Sequence, residues 1–233
     1  MVTVAQLRGK YEGPIREVLM AGFEKGLLTA AFDNLQIAGP LRFNNFSYAL
    51  RELLRHVLHR LAPDSEVKRC VWFRPTQTVA DGITRAHRAT YAIQGGLSDA
   101  FVKRKLGIDV AFVRSDLMKA IKVLNKHTHI EPSTFAIKPK QVEALAGQCL
   151  KATEYFIEHI LKCRRRVAES LSNAIDQHLI NQVISEAIDS IDVLATHHQI
   201  DEIYVDHIEV VDISSRAVLV RASGSIGCDP IWI

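Results

Sequence analysis

The chain has 233 residues, which is enough for one large domain or two small ones with a substantial buried core. Apolar residues make up 48% of the sequence and charged residues 24%, so the composition excludes a disordered chain and is typical of a globular protein. The formal net charge of +3 is compatible with a nucleic-acid partner but is too small to indicate one by itself.

The cysteines and the N-terminal segment bear on the cellular environment. Four cysteines are spread along the chain without a CxxC pair, which argues against a structural zinc site and against a disulfide framework. The segment MVTVAQLRGKYEGP contains no apolar signal region, and no stretch approaches 18 uninterrupted apolar residues. We therefore expect a cytoplasmic protein with reduced thiols and no membrane partner.

Apolar periodicity predicts helices over the first part of the chain. The pattern from 14 to 37 predicts one helix, which a glycine-proline pair ends. Asn44 and Asn45 offer an N-cap for a second helix over 46–62. Segment 66–82 has no clear period, so we expect a packed connector there.

Capping signals delimit the next three helices. Residues 82–94 predict a helix that runs into a glycine pair, which we expect to form a tight turn. Ser98 can cap a short helix over 99–106, and Asp109 can cap a longer one over 110–127.

The last part of the chain changes from helical to strand-like patterning. Pro139 is placed to begin a long breaker-free stretch, which predicts two long helices that meet near the arginine triplet 164–166. Residues 202–211 and 216–223 are β-branched or alternate in polarity, and this predicts an antiparallel hairpin. We therefore expect a mainly α protein with a small C-terminal β-hairpin.

Three stretches carry a resemblance to a known family. They are RAHRATYAIQGGLSDAFVKRKLGIDV (85–110), LNKHTHIEPSTF (124–135) and THHQIDEIYVDHIEVVDI (196–213). They resemble a bacterial family of predicted PIWI-associating nucleases, over roughly residues 45–226. The helical part of that family is similar to HEPN-type domains, all-α bundles that commonly act as metal-independent RNases in toxin and antiphage systems. The resemblance implies a nuclease role in bacterial defence.

The resemblance also implies a domain organisation. We expect a helical bundle domain over 1–197, with a HEPN-like core at about 44–163 and a long helix over 164–197, followed by a β appendage over 198–233. Family members continue with more β-structure after this point, so the resemblance implies a truncated appendage. HEPN-type sites usually form across a two-fold axis, which implies a homodimer.

The segment LNKHTHI at the end of the predicted helix 110–127 holds the candidate catalytic residues. Metal-free RNA cleavage needs a group that takes the 2′-hydroxyl proton, a group that protonates the leaving oxygen, and a cation beside the phosphorane. Asn125, Lys126, His127 and His129 provide these types, and at a fraying helix end both imidazoles can face one cleft. In the alternative, they are structural, because lysine and histidine often cap the last helical carbonyls.

Arginines on two predicted helices are the candidate nucleic-acid contacts. Arg51 and Arg55 lie on the polar face of the second helix, and Arg85 and Arg88 lie near the start of the third. Their charge can hold a phosphate backbone. They can equally be solvated or pair with acidic neighbours such as Asp81.

A C-terminal cluster of metal-ligand types suggests a different chemistry. Its members are His197, His198, Asp201, Glu202, Asp206, His207 and Glu209. Because successive strand residues face opposite sides, the cluster splits and cannot converge on one ion by itself. We therefore expect no metal and no cofactor.

Three functions remain open. The first is a metal-independent endoribonuclease of a bacterial defence system, with RNA a better substrate than DNA. The second is a non-catalytic adaptor that partners a defence nuclease through helical self-association, since Val123, Leu124 and Asn125 stand where HEPN RNases carry an arginine ahead of the histidine. The third is a metal-dependent DNase that uses the C-terminal cluster. The resemblance favours the first.

Overall fold

The computed structural model describes residues 3–191 and 198–230, with the side chains of residues 3–172 and 204–225. Within these ranges, eight helices precede a two-stranded antiparallel sheet, which confirms the mainly α class. The helices are α1 (Val4–Arg16), α2 (Phe23–Gln36), α3 (Arg42–Leu61), α4 (Asp64–Arg69), α5 (Arg85–Gln94), α6 (Asp99–Arg104), α7 (Val110–Thr128) and α8 (Pro139–Ile191). The strands are β1 (His198–Ile213) and β2 (Val218–Pro230).

Two compact units divide the chain between Cys163 and Arg164. The HEPN-like core expected from the sequence ends at the same residue, whereas the expected domain boundary at 197 lies later in the chain. The predicted helix junction at 164–166 is wrong, because α8 continues through the arginine triplet. Arginine is a good helix former, so three in succession do not interrupt the backbone hydrogen bonds.

The predicted helix over 14–37 is wrong, because the structure contains two helices there. Pro14 lies inside the last part of α1, and the chain leaves helical geometry between α1 and α2. Gly22, the residue before α2, has φ of +79°, a left-handed conformation that glycine adopts readily. The apolar period continues across this break, which is why periodicity alone did not reveal it.

Helix α3 is the centre of the first unit, because it packs against α2, α5 and α7. It begins at Arg42, earlier than predicted, so Asn44 lies buried within the helix and does not cap it. Its buried apolar side chains are Phe43, Phe46, Ala49, Leu50, Leu53, Leu54, Val57 and Leu58. Burial of each large member contributes about 1.5–3 kcal/mol before chain entropy is counted.

The segment predicted as a packed connector contains the short helix α4 and then coil that docks on α5. Trp72 donates a 2.8 Å hydrogen bond from Nε1 to the carbonyl oxygen of Gly95. Gly95 has φ of +55° and ends α5, so the glycine pair forms the predicted turn. The ring of Phe73 meets the ring of His87 edge to face at 5.0 Å.

Arg88 is a buried charge that joins the ends of several elements. It is 4% exposed, and its Nη1 lies 2.7 Å from both the carbonyl oxygen of Ala62 and Oδ1 of Asp64. Its Nη2 lies 3.7 Å from Oδ2 of Asp81. These acceptors compensate the positive charge of the Arg88 guanidinium, as the burial of a charge requires.

Local capping works as predicted at α6 and α7. The Ser98 hydroxyl accepts from the Phe101 amide at 3.3 Å, and Oδ1 of Asp109 accepts from the Phe112 amide at 3.1 Å. Helix α7 starts at the predicted residue and ends one residue later than predicted, and α8 begins at Pro139 as expected.

The predicted hairpin is confirmed, but its second strand is longer than predicted. Strand β2 continues to Pro230, so the segment GSIGCDP belongs to the strand. A Cβ added to Gly224 would lie 2.0 Å from the carbonyl oxygen of Tyr204, so glycine allows the strands to approach there. Glu209 pairs with Arg221 across the ribbon at 2.6 Å.

We predict that Arg88→Ala lowers the free energy of unfolding by about 1–3 kcal/mol, since it leaves the buried Ala62 carbonyl without its donor. The matched control is Arg85→Ala, an exposed arginine on the same helix, which should change stability by less than about 0.5 kcal/mol. Urea unfolding followed by circular dichroism measures both. Equal stability of the two variants would contradict the structural role of Arg88.

Candidate functional site

Helix α7 ends at Thr128, and His129 is its C-cap residue. His129 has φ of −99° and ψ of +125°, so its backbone is extended and the chain turns away from the helix axis. The imidazole of His129 is exposed. The segment that held the candidate catalytic residues is therefore a helix end followed by an ordered turn.

The turn after His129 is held by a buried threonine. Thr134 is 1% exposed, and its hydroxyl donates to the carbonyl oxygen of His129 at 3.0 Å. The hydroxyl oxygen of Thr134 also accepts from the Glu131 amide at 2.9 Å. Ala136, at φ of +53°, donates from its amide to the carbonyl oxygen of Pro40 at 3.1 Å. The backbone around His129 is thus fixed while its side chain faces solvent.

His127 lies on the opposite side of the helix from this exposed surface. It is 5% exposed, and its ring meets that of Phe43 edge to face at 4.8 Å. Its carbonyl oxygen accepts a 2.9 Å hydrogen bond from Nδ2 of Asn44 on α3. His127 is therefore packed as a core residue.

The surroundings of the His127 imidazole disfavour its charged form. Burial lowers the pKa of His127, and the positive charge of Lys126 lowers it further. Among the side chains that the structure describes, Nδ1 of His127 and Oδ1 of Asn44 are buried without a hydrogen-bond partner. A neutral ring tolerates this apolar position far better than a charged one.

The expectation that both imidazoles face one cleft is corrected by this geometry. Residues two apart on a helix point about 160° from each other, whereas residues three or four apart lie on one side. Lys126 and His129 are both exposed, and Asn125 is half-buried beside them. Lys126 and His129 thus face solvent, Asn125 is half-buried, and His127 is buried against α3.

Asn125 lies in the last turn of α7. Its carbonyl oxygen accepts from the Thr128 hydroxyl at 2.8 Å, which ties the last turn of α7 together. Its side-chain Oδ1 is shielded from solvent and has no partner among the described atoms. This oxygen is therefore not accessible to a group that binds from solvent.

The four candidate nucleic-acid arginines have different environments. Arg85 and Arg55 are exposed, and Arg51 is half-buried. Arg88 cannot reach a phosphate backbone, because it is buried with Ala62, Asp64 and Asp81, the last being the partner that the sequence offered. Arg88 is corrected to a structural residue.

The described residues offer little support for a metal site or for a reactive cysteine. There, no group of three histidine, cysteine, aspartate or glutamate side chains could hold a metal ion. The side chains of residues 197–202, part of the predicted C-terminal cluster, lie outside the described ones. Burial raises the pKa of Cys70 to about 11 and that of Cys149 to about 12, so neither is an activated thiol.

Sequence reasoning missed Asn44, which it took for an N-cap residue. The signal was present, because Asn44 and Ser47 are polar residues three apart on a helix face that is otherwise apolar. Such positions need partners in a neighbouring element. Only the packing of α3 against α7 shows that the partner of Asn44 is the backbone of His127.

Comparison with known proteins assigns most of the chain to one kind of family. Two family models, each described as a predicted pPIWI-associating nuclease, match residues 16–153 and 160–230. No curated protein and no solved structure matches the chain significantly. No helix in the described residues is long and apolar enough to cross a membrane.

We predict that stability falls as the pH drops below about 6.5 and that His127→Phe reduces this fall. The folded state holds the pKa of His127 below its ordinary value of 6.5, so the unfolded chain takes up the proton first as the pH falls. The stabilisation is complete above pH 6.5 and is lost as the pH falls through the folded pKa. Phenylalanine keeps the ring contact with Phe43 and does not titrate.

Thermal melts at pH 7.5 and pH 5.5 measure this difference. Burial also lowers the pKa values of His59 and His87, so the variant should retain part of the wild-type dependence. A variant whose melting temperature falls as much as that of the wild type would show that His127 does not contribute.

Proposed function

This chain belongs to the predicted pPIWI-associating nuclease family, and we propose that it cleaves RNA without a metal ion at the end of α7. The observation that supports this site is the exposed imidazole of His129, on a backbone fixed by Thr134, beside the exposed Lys126. Fixed, solvent-accessible nitrogen groups are what phosphodiester cleavage through a 2′-hydroxyl requires.

In the proposed reaction, His129 takes the proton of a ribose 2′-hydroxyl. The 2′-oxygen forms a bond to phosphorus while the bond from phosphorus to the 5′-oxygen breaks. A protonated imidazole gives its proton to the departing 5′-oxygen, so the products are a 2′,3′-cyclic phosphate and a 5′-hydroxyl. Lys126 places a positive charge beside the phosphorane, and Nδ2 of Asn125 donates a hydrogen bond to the ribose or the base.

The proposed chemistry requires a second acid-base group, and a second copy of the chain supplies it. In the described part of one chain, His129 is the only histidine of the LNKHTHI segment that reaches solvent, because His127 is buried. A homodimer that brings two His129 side chains to one groove provides one base and one acid. The proposal therefore includes a dimer as the active species.

His127 and Asn44 act in this proposal as positioning residues. The Asn44 side chain donates to the carbonyl oxygen of His127, and this bond fixes the last turn of α7 from which Lys126 and His129 project. Arg85 and Arg55 are exposed and Arg51 is half-buried, and in this proposal these three arginines contact phosphates. A role in bacterial defence, with a protein partner, completes the proposal.

The burial of His127 favours one alternative function. A chain with a single available imidazole in this segment could be a non-catalytic adaptor that acts by holding nucleic acid or a defence nuclease. Such an adaptor binds RNA but leaves it intact, with or without divalent ions. Cleavage assays therefore separate the two functions.

We predict that His129→Ala lowers the cleavage rate of single-stranded RNA by about 100-fold or more, the usual contribution of a general acid-base group. The matched control is His207→Ala, an exposed histidine on β1, which should leave the rate unchanged. The wild-type protein should retain its activity in chelator and should fail on a strand with 2′-deoxyribose at the cleaved position.

Two outcomes would overturn this assignment. Unchanged cleavage by His129→Ala would remove the site at the end of α7. Loss of activity in chelator, together with loss in His207→Ala, would point to the metal-dependent chemistry of the C-terminal cluster instead.

A further inference from the structure

The outer face of α3 carries a stripe of aromatic and charged side chains that packing does not explain. Tyr48, Glu52 and Arg55 follow at steps of four and three, and Arg51 and His56 flank them, so all five share the side of the helix that faces away from the core. We call these five residues the α3 stripe. Tyr48 is 59% exposed, so most of this aromatic side chain faces solvent.

A second exposed aromatic ring lies at the other end of this stripe. Phe23, the first residue of α2, is 60% exposed, and its ring meets that of His56 edge to face at 4.7 Å. Tyr48 and His56 are eight residues apart, which is about 12 Å along a helix. The stripe therefore has an aromatic ring at each end.

Two arginines occupy the space between the rings. The guanidinium of Arg51 lies 5.9 Å from the centre of the Tyr48 ring. Arg51 and Arg55 donate to the same carboxylate, that of Glu52, at 2.7 and 2.8 Å. Because one carboxylate faces two guanidinium groups, the stripe keeps an excess of positive charge. Nη2 of Arg55 also lies 3.0 Å from Nε2 of His56, and this contact orients the guanidinium group of Arg55.

This arrangement fits one kind of polymer. A single-stranded nucleic acid exposes flat base faces and phosphates in alternation, whereas a duplex hides its base faces in the stack. We infer that the α3 stripe with Phe23 binds single-stranded RNA, with bases stacked on Tyr48 and Phe23 and phosphates held by Arg51 and Arg55. The inference rests on the proposed RNA substrate and adds the strand state that the protein selects.

Glu52 has a defined part in this inference. Its carboxylate fixes the two guanidinium groups, but it also repels the phosphates that they attract. Replacement by the neutral Glu52→Gln should therefore tighten RNA binding at low salt. If the α3 stripe instead binds an acidic protein, loss of the Tyr48 ring should not weaken that binding.

The test measures binding apart from cleavage. The chain with His129→Ala, which is expected to cleave far more slowly, is titrated into a labelled single-stranded RNA and into the same RNA as a duplex, and anisotropy is recorded. Tyr48→Ala should weaken single-strand binding by about tenfold, the effect of losing one stacked base. Tyr48→Phe should bind as the parent does, because its ring still stacks.

A matched control comes from α7. Phe112 is 58% exposed, nearly as much as Tyr48, and lies outside the stripe, so Phe112→Ala should leave binding unchanged. All four variants replace exposed or half-buried side chains, and thermal melts verify that each is folded. Equal losses in Tyr48→Ala and Phe112→Ala, or a duplex bound as tightly as the single strand, would overturn the inference.

The binding test and the cleavage test can fail independently. If Tyr48→Ala binds RNA normally and His129→Ala loses cleavage, RNA binding by the α3 stripe is rejected and the catalytic role of His129 is retained. If Tyr48→Ala binds RNA weakly and His129→Ala cleaves normally, the catalytic role of His129 is rejected and RNA binding by the α3 stripe is retained.

Discussion

One buried hydrogen bond, from the Asn44 side chain to the carbonyl oxygen of His127, orients the end of α7. The last four carbonyl oxygens of a helix have no partner within it, and a buried one must find a donor elsewhere. Helix α3 supplies that donor, and Phe43 from the same helix receives the His127 ring. With residue 127 fixed inward, His129 emerges on the solvent side.

This orientation gives the two histidines different properties. The buried imidazole of His127 has a lowered pKa and packs at the helix end, and the imidazole of His129 is exposed to solvent. The proposed catalytic side is therefore small, with Asn125, Lys126 and His129, and it depends on a second copy of the chain. The α3 stripe lies on the solvent side of the helix whose inner face holds His127. One helix thus supports both the proposed cleavage and the proposed binding.

Features that depend on local side-chain contacts could be predicted from the sequence. Ser98 and Asp109 cap their helices through hydrogen bonds to amides three residues later, and Pro139 starts α8 because proline fits a first helical turn. Features that depend on distant contacts could not be predicted. The inward position of His127 is set by a residue 83 positions earlier, and the burial of Arg88 depends on acceptors from two other segments. The helix break before α2 left the apolar period intact, and Gly22 alone did not distinguish a break from a weakened helix.

Chemical modification of the two histidines tests most directly whether this bond separates them. Folded protein is treated briefly with diethyl pyrocarbonate, and mass spectrometry quantifies the adduct on each imidazole, with His127→Phe and His129→Ala assigning the fragments. We predict rapid modification of His129 and protection of His127, with the protection lost in Asn44→Ala. Modification of both histidines at similar rates in the wild-type protein would contradict the account, because neither imidazole would then be held in the core.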